Sequence, residues 1–264
     1  MTSWGSEVRV FSIAPFIGSI LKPKEPTIYR RKPAESYNLI APLYDVLNDL
    51  SSLGFHRYWR KKICEQIDFF SPKCGRILDI ATGTGDVVFE VLNKRSDLEF
   101  HAIDASYKMI EIAQKKLKKG YPLVQNQVFF LLADGTALPY CDSYFDSVSV
   151  AWGFKNLQPF SLGCREILRV LKPGGHCFVL ERSQAFFSLQ QGCGQLLSSV
   201  PQKFSAKLNL PFLKLQSPHG QELRTFPYGK NLVADFFDAG FIDVKFKMLL
   251  GGVVYLYFLT KPSK

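Results

Sequence analysis

The chain has 264 residues, 47% of them hydrophobic, and a formal net charge of +10. This length is enough to bury a substantial core and fits one domain, with or without an extension. The six cysteines are scattered without a C-x-x-C pair, which argues against a zinc site or a disulfide framework and for a reducing compartment. The positive charge indicates an acidic partner, namely nucleic acid, an anionic membrane or a phosphorylated ligand, or else only a basic soluble surface.

Residues 1–33 are predicted to form a flexible basic arm, because prolines interrupt them and lysines and arginines cluster near their end. No apolar run in the chain is long enough to span a membrane, and the start of the chain lacks the pattern of a signal or transit peptide. Residues 34–70 follow a helical period and are expected to form a helical cap. This cap contains polar and aromatic residues that a plain helical hairpin does not need: Tyr44, Asp45, Asn48, Asp49, His56, Arg57 and Trp59.

A glycine turn follows the first predicted strand. Residues 77–80 have the composition of a buried strand, Gly83 and Gly85 come next, and a helical pattern begins at Val87. A strand, a glycine turn and a helix start are typical of a nucleotide-binding crossover, because glycines let the backbone approach a ligand closely. Ala81 stands at the position of the first glycine of the G-x-G-x-x-G motif, so the motif is incomplete. A nucleotide-binding role for this turn therefore requires further residues elsewhere in the chain.

Strands and helices alternate after this turn. We predict strands over 100–104, 128–132, 145–151 and 176–180, and helices over 106–119 and 164–171. Residues 184–226 break the alternation and are interpreted as an insertion. A helix over 231–239 and strands over 242–249 and 253–259 close the chain, and the short Gly251-Gly252 connection makes these two strands antiparallel. The predicted fold is therefore α/β, with residues 34–264 forming a doubly wound, mostly parallel seven-stranded sheet that ends in an antiparallel pair.

Three acidic residues, Asp86, Asp104 and Asp134, lie at or just after predicted strand ends. Ligands of doubly wound sheets bind beyond the carboxyl ends of the strands. Asp104 lies 21 residues after Gly83, which is the spacing of an acid that accepts hydrogen bonds from ribose hydroxyls. Any one such acid is more often a helix cap, but three in order after a glycine turn favour a ligand site. A carboxylate at Asp86 would repel a pyrophosphate, so the sequence favours a cationic nucleoside such as S-adenosylmethionine.

Four segments match signatures of one enzyme family. They are 44–59, which includes Tyr44, Asp45, His56 and Trp59; 137–156, which ends in Trp152-Gly-Phe-Lys-Asn156; 169–183, which begins Arg169-Val-Leu-Lys-Pro-Gly-Gly175; and 239–253. In these segments the chain resembles the ubiquinone/menaquinone biosynthesis C-methyltransferases. The resemblance implies a class I, Rossmann-like fold. It also implies transfer of a methyl group from S-adenosylmethionine to a ring carbon of a polyprenylated quinol, either demethylmenaquinol or a 2-polyprenyl-6-methoxy-1,4-benzoquinol, at a membrane.

The resemblance also implies which residues bind the cofactor. Thr84, Asp104, Asp134 and Gly135 match the contacts of the family, Gly83, Gly85 and Asp86 line the same turn, and Ala151 stands where the family commonly has a serine contact. The missing serine removes one hydrogen bond, worth about 1 kcal/mol.

Methylation of a quinol ring needs alignment, desolvation and modest general-base help. The candidates for that help are Tyr44, Asp45, His56, Lys155 and Asn156, and Lys155 stands where the family tends to carry arginine. Each has a structural alternative, since His56 can hold the helical cap together and Lys155 and Asn156 can anchor a loop. No metal site is expected.

Residues 184–220 depart from the family. Family members usually have helices here, with a tyrosine-rich segment that helps to cover the quinone pocket, and this chain has no tyrosine in the stretch. The stretch is either an apolar lid for a different ring or tail, or a loop without that role.

The expected partners are a polyprenylated quinol and an anionic membrane surface, contacted by the basic arm and by residues 57–62. The expected assembly is a homodimer or a quinone-synthesis complex, and no nucleic acid is expected. The expected location is the cytoplasm with peripheral membrane association, or the matrix side of the mitochondrial membrane in a eukaryote. Two alternatives stay open: a methyltransferase that acts on another small molecule or on RNA, and a non-catalytic or weakly active scaffold of this fold within a quinone-synthesis complex.

Overall fold

The computed structural model describes residues 32–52, 54–183 and 226–264. Residues 1–31 of the predicted basic arm and residues 184–225 of the predicted insertion lie outside the described residues.

A seven-stranded sheet forms the centre of the described chain. Its strands are β1 Arg76–Ile80, β2 Glu99–Asp104, β3 Val128–Leu132, β4 Phe145–Ala151, β5 Leu171–Arg182, β6 Ile242–Leu249 and β7 Val254–Thr260. They lie in the order β3-β2-β1-β4-β5-β7-β6. Strands β1 to β5 pair in parallel, whereas β7 is antiparallel to both β5 and β6. The predicted mostly parallel sheet with a final antiparallel pair is confirmed.

Seven α-helices surround this sheet within the described ranges. They are α1 Lys32–Ile40, α2 Tyr44–Ser52, α3 Phe55–Phe70, α4 Asp86–Leu92, α5 Tyr107–Gly120, α6 Phe160–Val170 and α7 Lys230–Asp238. The predicted cap is three helices rather than a hairpin. The 3-10 turn Ala41–Leu43, which contains Pro42, separates α1 from α2, and Gly54 precedes α3 with a φ of 80° that favours glycine.

Strand β5 is longer than predicted. The predicted strand covers only 176–180, after a helix predicted to end at 171, but β5 begins at Leu171, which pairs with Phe145 of β4. The backbone of Gly174 and Gly175 also exchanges hydrogen bonds with Lys261, which follows β7. These long-range pairings extend a strand through a sequence that by itself is typical of a turn. Helix α6, in turn, begins at Phe160, four residues before its predicted start at Cys164.

The two faces of the sheet are covered by different helices. Leu232 and Phe236 of α7 pack with Ile167 of α6 on one face. On the other face, Ile63 of α3 packs with Val88 of α4. This arrangement buries both faces of the central strands, which explains their continuous apolar runs.

Helix α1 lies over the carboxyl edge of the sheet. The hydroxyl of Ser106, which also caps the N-terminus of α5, donates to Asn38 Oδ1 over 2.7 Å. Asn38 Oδ1 also accepts the backbone N–H of Lys108 over 3.3 Å. The start of α5 follows β2, so these bonds hold α1 above the strand ends, where ligands bind in this fold. Among the described residues, no helix is long and apolar enough to cross a membrane.

Candidate active site

A cavity opens at the carboxyl ends of β1 to β4. It encloses about 790 Å³, including its open mouth. Its wall is formed by strand ends, the loops that follow them and α1 and α2 above: Tyr37, Tyr44, Ile80, Ala81, Gly83, Ile103, Asp104, Ala105, Met109, Ala133, Asp134, Gly135, Ala151, Trp152, Gly153, Asn156 and Leu157. Seven of the predicted site residues therefore meet in one place: Tyr44, Gly83, Asp104, Asp134, Gly135, Ala151 and Asn156.

Asp104 is held by backbone groups at the end of β2. Its Oδ2 accepts the N–H of Gly83 and its Oδ1 accepts the N–H of Ser106, each over 2.8 Å. Burial raises the pKa of Asp104 to about 6, although the hydrogen bonds from Ser106 and Gly83 act in the opposite direction. The Gly83 bond joins Asp104 to the glycine turn after β1, so the turn and the acid are positioned together.

Asp134 and Gly135 form the wall beyond β3. Asp134 Oδ1 accepts both the backbone N–H and the hydroxyl of Thr136 over 2.8 Å. Gly135 has no room for a side chain, because a Cβ there would lie 2.6 Å from Leu157 and 2.8 Å from Ile80. The close packing of Gly135 sets the distance between this loop and β1.

Thr84, Gly85 and Asp86 lie outside the cavity lining, contrary to the sequence expectation. Gly85 has a φ of 87°, and a Cβ there would lie 2.8 Å from the Phe89 ring, so this position requires glycine. Asp86 begins α4 and faces two cations. Its Oδ2 lies 2.6 Å from Arg60 Nη1 and its Oδ1 lies 3.1 Å from Lys116 Nζ. Protein cations therefore already pair with this carboxylate, which the expectation of a cationic ligand beside Asp86 did not include.

Asp45 also faces this charged group rather than the cavity. Its Oδ1 accepts the Thr84 hydroxyl over 2.8 Å and its Oδ2 lies 2.7 Å from Lys116 Nζ. The Lys116 ammonium donates in addition to Thr84 Oγ1 over 2.8 Å. These contacts fasten α2 to the glycine turn and α5, which is a structural role for a residue predicted to assist catalysis.

Two tyrosines from the cap reach into the cavity. The rings of Tyr37 and Tyr44 meet edge to face, with centroids 6.4 Å apart. The Tyr37 hydroxyl accepts a hydrogen bond from Asn156 Nδ2 over 3.4 Å. Burial raises the pKa of Tyr37 and raises the pKa of Tyr44 to about 12. Both hydroxyls therefore stay protonated at neutral pH and can donate hydrogen bonds.

His56 is buried between α2 and α3 and does not line the cavity. Its Nδ1 lies 2.8 Å from Ser52 Oγ, and the Ser52 hydroxyl donates to the Asn48 carbonyl over 2.6 Å. Burial and the nearby Arg60 guanidinium lower the pKa of His56. The geometry matches the structural alternative for this histidine, which is to join the two cap helices.

Lys155 forms a buried ion pair below the cavity. Its Nζ lies 3.3 Å from Glu181 Oε1, and the two side chains are only 8% and 3% exposed. Glu181 Oε1 also accepts the backbone N–H of Arg182 over 3.0 Å. Burial lowers the pKa of Lys155. Lys155 does not line the cavity, although the next residue, Asn156, does.

The family model that matches this chain covers residues 28–261 and describes the ubiE/COQ5 methyltransferase family. The chain belongs to this family. It is similar to the demethylmenaquinone methyltransferase of Bacteroides fragilis, with 31% identity over 227 residues that cover 86% of this chain and 91% of the relative. It is also similar to the ubiquinone/menaquinone biosynthesis C-methyltransferase UbiE of Pseudomonas paraeruginosa, with 34% identity over 236 residues that cover 88% of this chain and 90% of the relative.

The fold of this methyltransferase is shared with solved structures of much lower identity. A SAM-dependent methyltransferase from Aquifex aeolicus superposes with a TM-score of 0.53 and 18% identity, over 76% of this chain and 88% of that chain. The fold is therefore that of the class I methyltransferases, as the resemblance in the sequence implied. Membership of the ubiE/COQ5 methyltransferase family supports the expected cofactor, S-adenosylmethionine.

The cavity of this methyltransferase fits that cofactor. Asp104 presents a carboxylate fixed by two backbone N–H groups, so its remaining lone pairs face the cavity. Gly83 leaves the backbone accessible, since a Cβ there would approach only the Tyr44 ring, at 3.7 Å. Within the described ranges no group of side chains is suited to hold a metal ion.

Several residues that line the cavity were not among the predicted site residues, chiefly Tyr37, Met109 and Trp152. Tyr37 lies seven residues before Tyr44, two helical turns away, and that spacing is a signal that both rings share a face. Trp152 belongs to a segment that matches a family signature, but no sequence rule showed that it lines the cavity.

Proposed function

We propose that this methyltransferase transfers a methyl group from S-adenosylmethionine to a ring carbon of a polyprenylated quinol, either demethylmenaquinol or a 2-polyprenyl-benzoquinol. The observation that carries the proposal is the similarity over most of the chain to relatives whose names state these activities. The cavity supports it, because its lining includes the carboxylates of Asp104 and Asp134 and the aromatic residues Tyr37, Tyr44 and Trp152.

Asp104 accepts hydrogen bonds from the ribose hydroxyls of the cofactor in this proposal. Asp134 and Gly135, after β3, border the adenine, and the turn around Gly83 borders the amino-acid part. The sheet order β3-β2-β1-β4 supports this sequence of contacts, because it sets the loops side by side along the cavity. Ala151 offers no hydroxyl at the end of β4, and its methyl group gives the cofactor a purely apolar contact.

The acceptor ring lies beside Tyr37, Tyr44 and Asn156. Their hydroxyl and amide groups can bind the quinol oxygens, and the aromatic rings exclude water from the reacting carbon. Because both tyrosines stay protonated at neutral pH, they act as hydrogen-bond donors and not as bases.

The reaction replaces a ring C–H bond by a C–CH₃ bond. S-adenosylmethionine supplies the electrophilic methyl group, and its sulfur keeps the electrons of the broken S–CH₃ bond. The quinol hydroxyl, a phenol with a pKa of about 10 in water, must lose its proton to make the ring carbon nucleophilic. The ring proton then leaves to solvent, which restores the phenolate, and the phenolate takes up a proton from solvent, so one proton is released for each methyl group transferred. The Tyr37 and Tyr44 donors stabilise the phenolate oxygen, which lowers the cost of this ionisation.

A membrane supplies the substrate, because a polyprenyl tail partitions into lipid. Apolar side chains of the cap are exposed for this contact: Leu39 is 84% exposed, Val46 56% and Leu43 48%. Basic side chains of residues 57–62 pair with acids, including Arg57 with Asp49 and Lys62 with Glu65. The exposed apolar side chains of the cap therefore contribute more to the proposed membrane contact than the sequence indicated. Leu39→Asp is expected to reduce sedimentation with anionic liposomes, whereas Phe69→Asp, at an exposed site near the C-terminal end of α3, is not. Equal sedimentation of both variants and the wild type would contradict this contact.

The test of the function is complementation of a strain that lacks its quinone C-methyltransferase, with the accumulated quinones identified by mass. Restored menaquinone or ubiquinone supports the proposal and tells the two acceptors apart. A chain that binds S-adenosylmethionine in calorimetry but restores neither quinone contradicts it and supports another acceptor. A chain that binds no cofactor supports the scaffold alternative, for which the alanine at position 151 is the structural argument.

A further inference from the structure

Trp152 adopts a backbone conformation that bulky residues avoid. Its φ is 63°, in the left-handed region that residues other than glycine rarely adopt. It directly follows β4, and its neighbour Gly153 is pressed against the glycine turn, since a Cβ on Gly153 would lie 2.3 Å from the Ala81 Cβ. Ala81 is itself left-handed, with a φ of 56°. Two residues with left-handed backbone, Ala81 and Trp152, therefore lie in the wall of the cavity, joined by the close contact of Gly153 with Ala81.

Three contacts hold Trp152 in this conformation. Its backbone N–H donates to the Leu180 carbonyl over 2.8 Å. The Trp59 ring packs against its indole at 5.8 Å between centroids, with the planes inclined by 65°. The Arg182 guanidinium lies over the indole, with Cζ 4.9 Å from the ring centroid. Strain of this kind persists only where its surroundings fix it, and it is concentrated at functional sites.

The place of Trp152 in the fold relates this residue to the acceptor rather than to the nucleoside. Asp104 and Asp134 follow β2 and β3, at one side of the cavity, whereas Trp152 follows β4 at the other side. Tyr37 and Tyr44 reach that region from the cap. A flat aromatic ring packs well on an indole, and an offset or edge-to-face contact adds affinity beyond the area that it buries.

We propose that Trp152 is a specificity-determining residue whose indole packs against the acceptor ring, and that Arg182 is a positioning residue that holds the indole in place. This inference rests on the proposed function, because it takes the acceptor to be an aromatic quinol. Arg182 acts through the indole of Trp152. The Glu181 carboxylate, next to Arg182 on β5, accepts the Arg182 N–H and pairs with Lys155 from the loop after β4.

The experiment compares Trp152→Leu, Trp152→Phe, Arg182→Met and Arg182→Lys with Phe69→Leu, a control that removes an exposed ring far from the cavity. For a short-chain demethylmenaquinol in detergent micelles, Trp152→Leu is expected to raise KM about tenfold and Trp152→Phe about threefold. Arg182→Met is expected to raise KM about threefold, with Arg182→Lys restoring it because the cation is kept. The dissociation constant of S-adenosylmethionine, measured by calorimetry, stays within about twofold of the wild type in all of them.

Each result has a defined meaning. An unchanged KM in Trp152→Phe and Trp152→Leu overturns the proposal, and so does a cofactor dissociation constant that rises in step with KM. If Trp152→Leu does not fold, the Phe and Arg182 variants still decide the question. A wild-type protein that neither methylates nor binds any quinol refutes the proposed function itself, whereas an active wild type with insensitive variants refutes this inference alone.

Discussion

Lys116 on α5 and Asp45 on α2 form an ion pair, with Nζ 2.7 Å from Oδ2. The same ammonium reaches Asp86 at the start of α4 and the hydroxyl of Thr84 in the glycine turn. One side chain therefore joins the cap, which carries Tyr44, to the turn that borders the cofactor cavity. We therefore expect this junction to hold the cap over the cavity.

Lys116→Met is expected to loosen the cap without unfolding the protein. Its ion pairs are partly exposed and contribute about 1 kcal/mol or less each. Amide hydrogens of α2 should exchange faster, and KM for the quinol should rise about threefold. The control is Lys115→Met, which removes a 71% exposed partner of Glu111 on the same helix. Equal exchange rates in the two variants would show that Lys116 does not hold the cap.

Cofactor affinity is expected to depend on the protonation of Asp104. Its pKa is raised to about 6, so below that pH its oxygen acquires a proton and loses its value as an acceptor. The dissociation constant of S-adenosylmethionine, measured by calorimetry, should be constant above about pH 7 and rise by up to about tenfold per unit below pH 6. Asp104→Ala should bind weakly at every pH, without this dependence. A wild-type affinity that is flat from pH 8 to 5 would contradict the placement of Asp104 at the ribose.

The raised pKa of Asp104 has the opposite consequence for folding. The folded state binds this proton more tightly than the unfolded state, whose value is near 3.8. The contribution to stability is therefore fully present below pH 3.8 and is lost as the pH rises through 6. Cofactor binding and folding stability thus respond to pH in opposite directions at this residue.

Lys155→Met is expected to destabilise the fold by about 3–5 kcal/mol, because it leaves Glu181 buried without its cation. Lys155→Met combined with Glu181→Gln should recover much of that loss, since the amide oxygen still accepts the Arg182 N–H. Urea unfolding of the double-mutant cycle measures the coupling. Lys172→Met is the matched control, because its pair with Asp146 is partly exposed and should cost about 1 kcal/mol or less.

His56→Asn separates the structural role of this histidine from a catalytic one. Loss of the Ser52 contact should lower the free energy of unfolding by about 1–2 kcal/mol, while kcat stays within about twofold. Tyr44→Phe should instead lower kcat with little effect on unfolding. Because the pKa of His56 is lowered, its stabilisation is full above the ordinary value of 6.5 and is lost as the pH falls. A His56→Asn enzyme with kcat reduced a hundredfold or more would restore the histidine as general base.

Most of the fold follows from local patterns. The apolar runs of β1 to β4 and the period of α5 mark their elements because buried strands and amphipathic helices need those side chains. The unpredicted extension of β5 through residues 172–175 depends on pairing with β4 and on hydrogen bonds to Lys261, which lies far away in the sequence. No local pattern carries that information.

The sequence by itself determined the order of strands and helices along the chain and the family signatures. It also identified Asp104 as an acid at the spacing expected of a ribose contact. It could do so because strand periods, glycine turns and spacings are properties of neighbouring residues. Only the tertiary structure decided that Asp86 faces Arg60 and Lys116, and that Trp152 lines the cavity. The side to which a turn residue points depends on the backbone dihedral angles and on partners that packing brings from elsewhere in the chain. Those partners exist only once the sheet, the helices and the cap have come together.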